Sequence, residues 1–99
     1  MITVRFHRLA SRELKLAQAW YRARDLRVGD SFLAAVDAGA ERIALDPDSF
    51  PIERALFRAI RIQGFPYRLI FERCGVDQVL VIAVAHTSRR PGYWSRRTL

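Results

Sequence analysis

Acidic residues all but vanish from the second half of this chain. Residues 54–99 hold only Glu72 and Asp77 against nine arginines, a net of +7, whereas residues 1–53 balance eight cations with eight acids. Cysteine is almost absent as well: Cys74 stands alone, which excludes an intramolecular disulfide framework and any cysteine-based metal site. No apolar run approaches the roughly 18 residues a membrane span requires. The opening "MITVRFHRLA" lacks the long apolar stretch and small-residue cleavage site of a secretory signal, so a cytoplasmic location is the expectation. Also missing are a Gly-rich phosphate loop, HExxH, a Cys/His ligand cluster and a GxSxG elbow. His7 and His86 are the only histidines and neither has an acid near it in sequence, so a nucleophile triad and a metal centre are both disfavoured. No cofactor is expected.

What is present is half apolar and 11% aromatic, enough for one folded domain over residues 1–99. Ile2, Val4 and Phe6 alternate with polar residues, the period of a half-buried strand. Ser11 offers a helix N-cap with Glu13 in the favoured first turn, and Leu14, Ala17 and Tyr21, with Leu16 and Trp20 beside them, follow helical spacing to about Arg24. Trp20 and Tyr21 read as core. A break over residues 25–30 contains Gly29. A second helix, capped by Asp30 or Ser31, then carries Phe32, Val36, Ala40 and Ile43 on its apolar face until "DPDSFP" stops it. Beyond, the period falls to 2: "ALFRAIRI", "YRLIFER" and "VLVIAVA" read as strands joined by a turn at 63–66 and a hairpin connection "CGVDQ". The last, apolar on both faces, should lie centrally under the helices. The expected fold is α+β, order β-α-α-β-β-β, a helix hairpin on a small and mostly antiparallel sheet with a short basic C-terminal segment.

Sixteen of the seventeen cations are arginine, the side chain suited to bidentate contact with phosphate or carboxylate. Strand parity turns Arg61 away from the core and can bring Arg68 onto the same face. Arg58 and the closing "HTSRRPGYWSRR" add Arg89, Arg90, Arg96 and Arg97 where the last strand leaves the sheet. Tyr93 and Trp94 either stack on bases, at about 1–3 kcal/mol each, or tuck onto the core as a terminal clip. His86 is either a hydrogen-bonded structural residue or a proton-transfer group. Glu72 with Arg73 suggests a surface pair.

These residues resemble the RelE/ParE superfamily of toxins from bacterial type II toxin–antitoxin systems. "FPYRLIFE" (65–72), an apolar strand and "HTSRRPGYW" (86–94) carry the likeness, with "AWYRAR" (19–24) and "GDSFLAAVDAGAERIALDPDSFP" (29–51) upstream. It covers nearly the whole chain and implies the same two-helix fold. It also implies an antitoxin partner with an acidic or amphipathic C-terminal segment, which suits the +7 charge. RelE-like members cut mRNA on the ribosome; on that reading Arg61, Arg68, His86, Arg89 and Tyr93 are the catalytic candidates, with Glu53 a weak candidate base. ParE-like members poison DNA gyrase with no catalytic residues of their own; Arg58, Arg90, Trp94, Arg96 and Arg97 would then contribute to target binding. The lysines that RelE-like enzymes carry on the first sheet strand are missing, Ala59 standing near one such position. The Trp-Tyr pair and the "PGYW" ending look more like the ParE-like, plasmid-stabilisation branch. A non-toxic nucleic-acid-binding module is the remaining alternative, recognisable by steep salt dependence.

Overall fold

His7 opens the helical layer. Its buried imidazole Nδ1 accepts the N–H of Leu9 at 3.0 Å, and helix α1 runs Arg8–Arg22 from that cap. The start therefore lies about a turn before the expected Ser11 cap; a side-chain acceptor on His7 satisfies one of the free N–H groups of the first turn instead. Helix α2, Leu26–Leu45, also begins earlier than expected, because Asp25 rather than Asp30 or Ser31 caps it through the N–H of Arg27 at 2.9 Å. Gly29 thus lies inside the helix. A Cβ there would stand 2.0 Å from Cγ of Arg22 and 3.0 Å from its backbone nitrogen, so the two helices can cross this closely only at glycine.

In the computed structural model, which describes residues 1–97, five strands form one sheet in the order β1-β5-β4-β3-β2. They are β1 Thr3–Phe6, β2 Ile52–Arg54, β3 Phe57–Arg61, β4 Tyr67–Arg73 and β5 Gln78–His86, with a turn of 3-10 helix at Pro47–Ser49. The α+β class and a mostly antiparallel sheet under two helices are as the sequence predicts, with β1 parallel to β5 and the other pairs antiparallel. One detail differs: β2 is an extra edge strand of three exposed residues, while β5 lies inside the sheet between β1 and β4 as expected.

One face of the sheet packs on the helices through Phe32, Val36, Ile43, Leu69, Phe71 and Val81. At the end nearest the β3–β4 turn, the rings of Tyr21, Phe32, Phe65 and Tyr67 meet at centroid distances of 5.1–6.4 Å, mostly edge to face. The other face is buried as well, around Ile70, Leu80, Ile82 and Ala83, and its cover is the C-terminal segment. That second cover is why β5 is apolar on both faces. A bulge falls where Ile70 pairs Ala83 but Phe71 pairs Val81, so side-chain parity flips and Val84 joins Val81 on the helix side.

Candidate functional site

The opening of the basic tail is a set of turns. His86 Nδ1 accepts the N–H of Ser88 at 3.0 Å, and the N–H of Arg89 reaches the His86 carbonyl at 3.0 Å. Gly92 then turns the chain at φ +77°, and a Cβ there would sit 2.4 Å from the Arg54 guanidinium packed above it. The reversal drives Trp94 onto the helix-free face, where it is 1% exposed and meets Phe57 edge to face at 5.2 Å. Of the two placements weighed for Trp94, against a target or as a terminal clip on the core, the ring occupies the second. Trp20 is a correction. Expected in the core, it is 53% exposed, with the Arg24 guanidinium 3.4 Å over its ring, while its neighbour Tyr21 turns inward.

Glu13 anchors the tail. Its carboxylate accepts the Val84 N–H at 3.0 Å, both terminal nitrogens of Arg97 at 2.9 and 2.8 Å, and the Tyr93 hydroxyl at 2.8 Å. Arg97 also donates to the Ile82 carbonyl at 2.8 Å. Register explains the arrangement. β1 runs beside β5 only as far as Val81, so past that point the β5 backbone needs other partners, and Glu13 from α1 and Arg97 from the tail supply them. The Glu13 bond holds Arg97 above its ordinary pKa. Burial, then the bond to Glu13, pushes the Tyr93 phenol up to about 12. Its hydroxyl proton is donated to Glu13. The Arg97 side chain is mostly buried in this ion pair.

The sheet arginines lie elsewhere. Arg61 and Arg68 stand directly opposite each other in the β3–β4 register, on the helix-free face as parity predicts. Arg68 is occupied by Glu53 at 2.7 Å, so the acid weighed as a base is instead its salt-bridge partner. Arg58 points to the other face and donates to the Phe50 carbonyl at 2.6 Å, which fixes the entry to β2. Arg73 pairs with Asp48, not with its neighbour Glu72. Among the described residues Arg61, Arg90 and Arg96 are exposed and make no ion pair, and Arg89 stacks on Tyr93 at 4.0 Å.

His86 faces the opposite side from Arg61 and Arg68. It pairs across the sheet with Tyr67, whose ring it meets at 5.0 Å, and lines a shallow groove of about 230 Å³ with Glu13, Leu16, Trp20 and Arg89. Leu16 and Trp20, one helical turn apart, leave an apolar stripe on its wall, Leu16 being 61% exposed. Glu13 and this stripe escaped sequence reasoning. Glu13 read as a first-turn acid, and nothing local marks a bond to residues 71 and 84 positions away. Among the described residues no group of three or more potential ligands is arranged to hold a metal, and no helix is long and apolar enough to cross a membrane.

A helix hairpin thus covers one face of the sheet and the basic tail is strapped across the other. Residues 4–91 match the family described as the ParE toxin of the type II toxin–antitoxin system, parDE. The chain belongs to this family. Among solved structures it is similar to a chain from the chromosomal ParDE toxin–antitoxin system of P. aeruginosa. The TM-score is 0.75 at 12% identity, over 87% of this chain and 96% of that one, a likeness of fold. A search of curated proteins found no match.

Proposed function

We propose that this ParE-family chain arrests growth by binding and poisoning DNA gyrase, that a cognate antitoxin neutralises it, and that it does not cut RNA itself. The observation that carries the choice is the scatter of the candidate catalytic residues. Arg61 and Arg68 lie on one face of the sheet and His86 on the other, while Tyr93 is spent on Glu13 and Arg68 on Glu53. General acid–base chemistry needs its groups within hydrogen-bond reach of one reacting site, and the separation of Arg61 and Arg68 from His86 and Arg89 speaks against one. The cations left over, Arg61, Arg89, Arg90 and Arg96, suit binding: they supply positive field to an anionic surface without a chemical step. The +7 charge and the exposed Leu16–Trp20 stripe favour an acidic, amphipathic neutralising partner in the cytoplasm.

Expression of the chain alone should halt growth and switch on a DNA-damage reporter while ribosome-bound mRNA stays intact, and co-expression of the antitoxin encoded beside it should restore growth. Healthy cells expressing the chain alone would rule out a toxin. Arrest with cleaved mRNA and a silent damage reporter would transfer the function to the ribosome.

A further inference from the structure

The two sides of the molecule expose different chemistry. Apart from Met1, the large apolar side chains left in solvent lie on the two helices, in the turns at Leu56 and Val76, or at Ile52. Ile52 pairs with Arg58 and so shares its helix-side face. Among the described residues none of them stands on the helix-free face of β3, β4 or β5, where Ile70, Leu80 and Ile82 are sealed in one cluster with Trp94.

What the helix-free side presents is guanidinium. Arg61 and Arg68 stand directly opposite each other, a like-charged cross-strand pair that by itself weakens a sheet. Glu53 neutralises Arg68 at 2.7 Å, and Glu72, the other acid on this face, lies at the far end of β4. Arg54 is exposed with its guanidinium against Gly92 of the tail, and Arg90 and Arg96 are exposed on that same tail. Among the described residues Arg54, Arg61, Arg90 and Arg96 make no ion pair. An arrangement that costs the fold and leaves charge uncompensated is expected where an outside anion completes it.

We propose that this face binds the phosphate backbone of duplex DNA, the DNA held by the gyrase target, with Arg61, Arg90 and Arg96 on phosphates and Arg54 and Arg68 beside them. The inference rests on the gyrase reading above. Protein interfaces bury an apolar centre, whereas DNA interfaces are polar and strongly cationic. The helix side, with Leu16 and Trp20 in solvent, therefore suits protein, and the helix-free side suits DNA. Single strands are held by aromatic platforms for unstacked bases. Here the rings are engaged: Trp94 is 1% exposed against Phe57, while Tyr93 lies under Arg89 and donates its hydroxyl to Glu13. Cations without a stacking surface contact the backbone and not the bases, so the binding is to duplex and independent of sequence.

The test titrates a labelled mixed-sequence duplex of about 20 base pairs with purified toxin, by fluorescence anisotropy, between about 50 and 200 mM salt. Three to five phosphate contacts predict a slope of log affinity against log salt of about −3 to −4. Arg61→Ala and Arg96→Ala should each flatten it by about 1, and Lys15→Ala, at an exposed position of α1, should leave it unchanged. Glu53→Gln removes the acid that occupies Arg68 and should tighten binding about threefold or more at low salt, a gain that misfolding cannot mimic. Single strands of the same length should bind more weakly, and polyglutamate should compete poorly. With gyrase present, the Arg61→Ala/Arg96→Ala double variant should trap less cleaved DNA while still binding DNA-free gyrase. Absence of duplex binding at about 50 mM salt, equal slopes in wild type and both arginine variants, or preference for single strands or polyglutamate, with gyrase still poisoned, would overturn this proposal alone. Wild-type toxin that binds duplex as described yet leaves gyrase active would instead overturn the gyrase reading.

Discussion

Replacing Glu13 tests the physical account of the tail. In Glu13→Ala, the Arg97 guanidinium, whose side chain is only 14% exposed, loses its counter-charge, and the Val84 N–H and Tyr93 hydroxyl lose their acceptor. Breaking a fully buried pair from one side costs about 3–5 kcal/mol, and an orphaned donor a further ~1–3. The pair retains some solvent, and both Arg97 and Tyr93 can turn toward water, so the discounted cost is about 2–4 kcal/mol. For a domain of this size that lowers the thermal midpoint by on the order of 10–20 °C. Glu13→Gln, which keeps an oxygen acceptor for Val84 but loses the charge, should fall about halfway. Urea denaturation followed by circular dichroism gives the free energies. Fluorescence in a Trp20→Phe background reports Trp94 alone, and should show the tail loosening before the body unfolds. A Glu13→Ala protein within about 0.5 kcal/mol of wild type, the range of an ordinary surface change, would refute the reasoning.

Other perturbations have definite signs. Trp94→Ala should cost about 3–5 kcal/mol, whereas Trp20→Ala, at a half-exposed ring under Arg24, should cost less than about 1; paired denaturation curves compare them. Gly29→Ala gains roughly 1 kcal/mol of helix propensity but forces the hairpin apart at Arg22, so it should destabilise on balance. Ala55, held at φ +51° in the β2–β3 turn, should give a more stable protein as Ala55→Gly, by up to about 1 kcal/mol. Tyr93 has a folded pKa raised to about 12 from 10.0, so its stabilising contribution is fully present below pH 10 and lost as pH rises from 10 to about 12. Ultraviolet titration should find Tyr93 ionising late, as Tyr67 also does to a lesser degree, and Glu13→Gln should lower only the Tyr93 midpoint, and only in part because burial remains.

The two-helix, mostly antiparallel plan was legible because the apolar period changes from 3.6 to 2 near Pro51, and because Ile60 and Ile62 alternate cleanly with Arg61. The parity that put Arg61 and Arg68 on one face is local information, and it held. β2 was not legible: three exposed residues carry no burial pattern. Nor was the bulge at Ile82, since in an unbroken apolar run a parity flip leaves no mark. Gly29 read as a break because the close helix crossing that makes it necessary is a tertiary fact. On α1 the Trp20–Tyr21 pair hid which ring faces inward, as adjacent helical residues lie about 100° apart and the stripe passes through Ala10, Ala17 and Tyr21. The Glu13 cluster joins the two ends of the chain, and sequence spacing says nothing of such pairs.

The central claim is that the chain binds a target through charge and shape and carries no assembled catalytic site. Its most direct test is supercoiling of relaxed plasmid by DNA gyrase with purified toxin, with and without antitoxin, beside a ribosome-programmed mRNA cleavage reaction. The account predicts blocked supercoiling or trapped cleaved DNA, reversed by antitoxin, with the mRNA left whole. Unimpeded gyrase together with cut mRNA, abolished by Arg61→Ala or Arg68→Ala in folded protein, would contradict it.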